Sequence, residues 1–236
     1  MAPMCARYKL ITPTGVILEY IEARHGRPNL PARYNIAPTQ SAPIVHATPT
    51  GRQIATLRWG LIPSWAKDAK IAFSTINARA ETVAEKPAFR DALRQRRCLV
   101  IADGYYEWKT MSDGKQPYLF ARKDAALMAF AGLWERWEKG GEPIETFTII
   151  VTAANALVQS VHDRMPVILD PAYFGAWLDT SNPPADVLPL LKPYEGADLE
   201  MTAVSRKLNS VHNEGPDLMD PPQGKGLGTH LSLIPV

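Results

Sequence analysis

The sequence predicts an α+β fold, a single domain built on a mostly antiparallel β-sheet with flanking helices. Three observations point there. Short β-like stretches bounded by turn residues dominate the first two thirds of the chain. Several of these follow one another across hairpin-type turns, and the helical stretches are short and interspersed, with no βαβ alternation. Residues 6–11 read as a strand that ends at Thr12-Pro13-Thr14-Gly15. Residues 16–24 carry Val16, Ile17, Tyr20 and Ile21 at helical spacing and predict a helix. Residues 28–43 hold four prolines (Pro28, Pro31, Pro38 and Pro43) and predict an ordered irregular loop. Residues 42–47 and 53–61 flank a Pro49-Thr50-Gly51 turn and predict a hairpin. A short helix with Pro87 in its first turn is expected over 85–95, and the continuous apolar run 98–102 suits a buried strand. Further strands are expected at 105–109, 118–122, 126–134 and 146–151, with turns at Asp113-Gly114 and Gly140-Gly141, and helices at 154–161 and 172–178. No internal repeat is present, and the composition breaks only at Ser181-Asn182-Pro183-Pro184 and in the Pro/Gly-rich tail from Pro221.

With 236 residues, 46% of them hydrophobic, the chain can bury a substantial core. Its net charge of +2 is near neutral, so a polyanionic partner would be held by a local basic patch rather than by the field of the whole molecule. Two cysteines, Cys5 and Cys98, give neither a disulfide framework nor a CxxC pair, which fits a reducing compartment. Residues 1–13 lack the apolar region of a signal peptide, and no run approaches the roughly 20 apolar residues of a membrane helix. The expectation is a cytoplasmic protein with no membrane contact. Apart from His162, the histidines (His25, His46, His212 and His230) have no metal-ligand spacing with one another or with cysteine, so neither a metal nor another cofactor is expected.

Four segments carry residues suited to chemistry, each with a plainer alternative. In Met4-Cys5-Ala6-Arg7-Tyr8, a Cys5 freed at its amino end would present an α-amine beside a thiol, a pair that traps an aldehyde as an imine and closes it to a thiazolidine; the alternative is a small core residue. In the segment 74–81, extended backbone puts Asn77 and Arg79 on one side, a pair suited to a phosphate or sugar oxygen; the alternative is an Arg79–Glu81 surface ion pair. Glu107 sits among Tyr105, Tyr106 and Trp108, where partial desolvation would raise its pKa and suit it to proton transfer; otherwise it is an exposed strand-edge glutamate. His162, in His162-Asp163-Arg164-Met165-Pro166, titrates near neutral pH and is either a proton shuttle or structural. Trp59, Trp65 and Trp108, with Pro38 and Pro63, offer stacking surfaces for single-stranded nucleic acid, or else anchor the core. The cluster Arg94-Gln95-Arg96-Arg97 is a phosphate-facing patch or a solvated helix end, and Cys98 reads as buried and structural.

Taken in order, these segments resemble the SRAP family (SOS response-associated peptidase, or abasic site processing proteins). The resemblance spans residues 4–222 and leaves 223–236 as a C-terminal tail. It rests on the Met4-Cys5 start, Tyr34-Asn35-Ile36-Ala37-Pro38-Thr39-Gln40, Arg58-Trp59-Gly60-Leu61-Ile62-Pro63, Asn77-Ala78-Arg79-Ala80-Glu81, Gly104-Tyr105-Tyr106-Glu107-Trp108 and the histidine segment at 162–166. It implies a monomer that forms a covalent crosslink to abasic sites in single-stranded DNA, with lyase-type imine chemistry. Cys5 would supply amine and thiol, Asn77 would hold the sugar or adduct, Glu107 would move protons at the amine, and His162 would open the sugar ring. Arg7, Arg79 and Arg164 would grip the backbone, with Pro38 and Trp59 or Trp65 near the bases. Neighbouring arginines are expected to lower the thiol pKa. Two departures stand out: Ala6 replaces a common glycine, and Met1-Ala2-Pro3 precede Met4, so Cys5 becomes terminal either through a start at Met4 or through a cut before it. The other readings are a cysteine peptidase using Cys5, His162 and Asn77, and a noncovalent single-strand binding module.

Overall fold

The computed structural model describes residues 5–23, 28–139 and 141–222. In chain order it forms β1 (Tyr8–Leu10), α1 (Thr14–Tyr20), β2 (Arg33–Ile36), β3 (Ser41–Thr48), β4 (Gly51–Trp59), β5 (Asn77–Arg79) and α2 (Arg90–Gln95). There follow β6 (Arg97–Ala102), β7 (Gly104–Met111), β8 (Gly114–Arg122), β9 (Met128–Trp137), β10 (Ile144–Ala153) and α3 (Ala156–Gln159). The chain continues through β11 (Arg164–Pro166), β12 (Ile168–Leu169), α4 (Phe174–Leu178), α5 (Pro184–Val187) and β13 (Leu199–Ala203). The expected α+β architecture is what is found, with most strand pairs antiparallel.

Two sheets share the core. One is five-stranded in the order β13-β8-β7-β1-β2, antiparallel throughout. The other runs β11-β10-β4-β3-β6-β9-β12 and closes on itself, because β9 also pairs with β10. Strand β10 is its hub: it takes β9 and β11 antiparallel and β4 and β5 parallel, and all but its ends are buried. That burial explains its continuous apolar and threonine-rich run. Aromatic rings weld the sheets together. Tyr8 meets Trp59 at 5.4 Å and Phe130 edge-on at 6.3 Å, and Tyr105 meets Phe130 edge-on at 5.9 Å.

Where β9 passes between β6 and β10 the packing leaves no space for a side chain at Gly132. A Cβ there would lie 2.9 Å from Cys98 Sγ and 3.0 Å from the Thr148 carbonyl oxygen. Gly132→Ala is therefore expected to destabilise the fold by about 1–3 kcal/mol. A lowered urea midpoint at unchanged slope is the measurement that checks it.

Several boundaries differ from expectation for identifiable reasons. The helix expected to reach residue 24 ends at Tyr20: Glu22 turns left-handed (φ 53°), its N–H donates to Glu19 O, and the Ala23 N–H donates to Leu18 O, which closes the helix. The expected loop 28–43 contains β2 and the start of β3. Pro28, Pro31 and Pro38 lie outside the strands, and Pro43 falls where β3 registers only with β4. The helix expected from residue 85 begins at Arg90, with Pro87 in the turns that precede it, because proline disfavours helix in the residue before it. The helix expected over 154–161 is confined to α3, capped by Asn155 Oδ1 accepting from the Val158 N–H at 3.0 Å. The expected helix over 172–178 opens as a 3₁₀ turn at Pro171–Tyr173. The turn expected at Gly140-Gly141 and the tail 223–236 fall wholly or partly outside the described residues.

The arginine cluster divides: Arg94 and Gln95 are the exposed end of α2, as the solvated-helix-end reading has it, while Arg96 and Arg97 depart from it. Arg97 is 1% exposed, and its guanidinium donates to the carbonyls of Leu93, Trp177, Asp179 and Asn182. Arg96 pairs with Glu135 at 2.8 Å. Burial also decides Cys98, whose thiol is fully enclosed and pushed up in pKa by desolvation.

Candidate active site

The antiparallel pairing of β1 with β7, with Tyr8 opposite Tyr105, carries the residues ahead of β1 alongside the end of the Glu107 segment. Cys5 and Glu107 consequently meet: the Cys5 backbone nitrogen donates to Glu107 Oε1 at 2.9 Å, and both residues are almost fully buried. Cys5 sits at φ 39°, a conformation that side-chain-bearing residues rarely adopt. Next to it, the Tyr106 N–H donates to Arg7 O at 3.0 Å and continues the pairing.

Asn77 arrives from the other sheet on β5. Its Nδ2 donates to Cys5 O at 3.5 Å and to Ile149 O at 3.4 Å, both long bonds, while its buried Oδ1 has no partner among the described residues. An amide acceptor left free beside Cys5 is suited to a hydroxyl on a bound ligand. His162 follows α3, held by its own N–H to Val158 O. Its Nδ1 accepts the Arg164 N–H at 3.0 Å, which leaves Nε2 as the proton-bearing nitrogen of the neutral ring. The Asp163 carboxylate lies 3.0 Å from the same Nδ1 and becomes its partner if that nitrogen is protonated instead. His162, Glu107 and Arg7 line one cleft of about 710 Å³.

Burial sets the electrostatics. Desolvation raises the Glu107 pKa; the nearby His162 charge and the hydrogen bonds with Cys5 offset part of that rise. The Cys5 thiol is pushed well up, first by burial and then by the Glu107 charge. This corrects the expectation of a thiol lowered by arginines: Arg7 spends its guanidinium elsewhere. Arg7 Nη1 donates to Asn35 Oδ1 at 2.7 Å and to Leu208 O at 3.1 Å, and its Cζ lies 5.5 Å from the centre of the Trp108 ring.

The structure thus brings Cys5, Arg7, Asn77, Glu107 and His162 together. Arg79 and Arg164 flank them, two residues beyond Asn77 and His162. Arg79 is exposed, and Glu81 pairs with Arg164 rather than with Arg79 as the alternative had it. Pro38 is half-buried ahead of β3. Of the two tryptophans placed near the bases, Trp59 is 0% exposed, with its Nε1–H on Ile76 O, and has no face to offer a base; it is a core residue. Trp65 is 47% exposed, its Nε1–H on Pro87 O.

Sequence reasoning assigned no role to Asn35, although it lies in one of the motifs. It is 1% exposed, accepts from Arg7, and donates through Nδ2 to Ser210 O and Asn213 O. It thereby ties the arginine to the segment after β13. Among the described residues no group of three or more His, Cys, Asp or Glu side chains is placed to hold a metal, and no helix is long and apolar enough to cross a membrane.

A two-sheet α+β domain with a buried cysteine–glutamate contact at its amino-terminal end matches the family model described as SOS response associated peptidase (SRAP) over residues 4–211, and the chain belongs to that family. It is 41% identical over 222 residues to the abasic site processing protein YoqW of Bacillus subtilis, covering 92% of this chain and 99% of that one. It is 35% identical to the abasic site processing protein HMCES of Gallus gallus, covering 80% of this chain and 66% of that one. Among solved structures, a Bacteroides thetaiotaomicron protein superposes with a TM-score of 0.81 at 29% identity, covering 92% of this chain and 99% of that one.

Proposed function

We propose that this protein captures abasic sites in single-stranded DNA by forming a thiazolidine with Cys5, once the residues ahead of Cys5 have been removed. The freed α-amine attacks C1 of the ring-opened deoxyribose, and the carbinolamine loses water to give an imine. Sγ then adds to the imine carbon while the thiol proton passes to the nitrogen, closing the five-membered ring. An α-amine with a pKa near ~7.7–8.0 is partly neutral at pH 7 and needs little activation. Glu107, at hydrogen-bond distance from the nitrogen, takes up and returns protons as the amine becomes carbinolamine and imine. His162, with a proton on Nε2, serves ring opening of the sugar. Asn77 Oδ1 is free to accept from a sugar hydroxyl, and the exposed Arg79 suits a flanking phosphate, while Arg7 and Arg164 are engaged by Asn35 and Glu81 and would have to exchange those partners to join it.

The observation that carries this reading is the 2.9 Å contact between the Cys5 nitrogen and a buried carboxylate. In a peptidase the cysteine would face its base. Here the thiol's hydrogen-bond partner is Glu107, and among the described residues no hydrogen bond joins Cys5 to His162.

The test is to incubate protein whose amino terminus is verified by intact mass as Cys5 with single-stranded DNA carrying an abasic site. A band resistant to heat and SDS is expected, with the mass of protein plus DNA less one water, and it should be lost in Cys5→Ala. No such band from correctly processed protein, or an equal band from Cys5→Ala, would refute the proposal.

A further inference from the structure

Among the described residues, the arginines withdrawn from solvent are paired, with one exception. Each of the others donates to a carbonyl, an amide oxygen or a carboxylate. Arg58, half-buried on β4, has no acceptor among those residues. A guanidinium carries five donors and a permanent charge, so holding it half out of water and unpaired costs stability that a bound anion returns. Its neighbours are poised in the same way. Ser41 stands directly across the β3–β4 pair from Arg58, and Thr56 lies two residues before it, so all three side chains leave one face of the hairpin. Neither hydroxyl is hydrogen-bonded to a described residue. This end of the hairpin is pinned: the Trp59 N–H donates to Gln40 O at 2.9 Å, and the Thr39 N–H donates to Trp59 O at 2.9 Å.

That face floors a groove with two unlike ends. Arg58, Ser41 and Thr56 line a cleft of about 500 Å³ with Ile144, Arg136 and Glu145. Ser41 and Thr56 also line a second cavity, of about 210 Å³, walled by Leu10, Leu30, Ile36 and Ala42. The two meet at the hydroxyls, so an apolar bay adjoins a free guanidinium. Arg33, at the edge of the bay, is taken by Gln40 and Glu214. The rim of the cleft sets its charge. Arg136 is held by Glu138 at 2.7 Å and by Glu145 at 3.7 Å, and brings no spare charge. One unpaired cation beside these carboxylates suits a single negative charge and disfavours a phosphate dianion. A sugar-phosphate backbone has no aliphatic group to fill the bay; a carboxylate on a short hydrocarbon chain does.

We propose that the face of β3 and β4 holding Ser41, Thr56 and Arg58 is a second binding site, for a small aliphatic carboxylic acid. The carboxylate lies on the Arg58 guanidinium, whose planar fork matches its two oxygens, and the hydroxyls of Ser41 and Thr56 donate to it. The hydrocarbon chain enters the bay. The site shares no lining residue with the cleft at Cys5, and it stands whether or not the DNA-capture reading holds.

The test is an NMR titration of the isotope-labelled protein at neutral pH with hexanoate, against acetate and hexylammonium. Hexanoate is expected to shift the amides of Ser41, Thr56 and Arg58 saturably, and to bind more tightly than acetate by about fourfold for each methylene buried. Hexylammonium should leave those amides unmoved. Arg58→Gln removes the charge, and Ser41→Asp installs a carboxylate opposite the arginine; each should weaken hexanoate binding by about tenfold. Ser41 is exposed, so its variant decides the matter if Arg58→Gln fails to fold. No saturable shift at tens of millimolar hexanoate, or equal binding of hexylammonium, overturns the site. A fall of about 0.7 in the slope of log K against log salt for single-stranded DNA on Arg58→Gln gives the arginine to a DNA phosphate and also overturns it. A peptide ending in leucine that binds more tightly than hexanoate, and only with its terminal carboxylate free, overturns the small-acid assignment in favour of a polypeptide end.

Discussion

Glu107→Gln is expected to slow adduct formation by about 10²–10⁴-fold, the usual worth of a positioned proton-transfer group, while raising thermal stability at neutral pH. The amide keeps the shape and can still accept the Cys5 N–H, so what is lost is the capacity to hold a proton. The stability gain follows from burial. Desolvation raises the Glu107 pKa in the folded state above its value in the unfolded chain, so the folded state binds the proton more tightly. Stability contributed by this group is complete below the unfolded pKa and is lost as pH rises through the raised, folded value. The glutamine does not titrate. Its advantage should therefore be present at pH 7–8 and absent near pH ~3, below the ~4.3 of an unfolded glutamate. Single-turnover crosslinking and melting curves across that pH range measure both effects. A stability difference of the same size at both ends, or an unimpaired rate, contradicts the assignment.

The largest effect on stability is expected at Arg97. Its guanidinium serves carbonyls from α2 and from the stretch around α4 to Asn182, and it also lies 5.7 Å from the Trp177 ring centre. Truncation to alanine leaves those acceptors without a donor in a dry interior and opens a cavity. The expected loss is about 3–5 kcal/mol, a large part of a typical domain's stability. Arg97→Lys should recover little, because an ammonium cannot present a planar fork to several carbonyls at once. Chemical denaturation of both variants measures this, and a lysine variant as stable as the parent would contradict it.

Why sequence reasoning located some of these features and not others is physical. The apolar run 98–102 and the hairpin around Pro49-Thr50-Gly51 announced themselves, because a strand buried on both faces must be continuously apolar and a tight turn needs its own residues. The three-residue β5 is too short to carry a period, and its parallel pairing with β10 is a long-range choice that no local pattern records. β2 was hidden by prolines that lie outside it. At the site, residue types were legible one by one, but the meeting of Cys5 with Glu107 joins positions 102 apart in sequence and was reached only through the order of family motifs. Trp59 and Arg97 show the opposite error: an aromatic and a cation that look like nucleic-acid contacts are among the most deeply buried side chains in the protein.

The way Arg7 is held has a consequence for the order of events at the ribosome. Its acceptors are Asn35 and the Leu208 carbonyl, 201 residues away, and Asn35 is itself bonded to Ser210 and Asn213. The amino-terminal end of the site is therefore completed by nearly the last part of the domain to be made. Such long-range closure folds slowly, and domains settle as units once their chain is available. A nascent chain whose Cys5 has already been exposed would carry the amine and thiol without the arginine fixed beside them until residue 213 had emerged. On the proposed capture chemistry, full reactivity would then arrive with completion of the domain, a delay between exposing the Cys5 amine and fixing the arginine beside it.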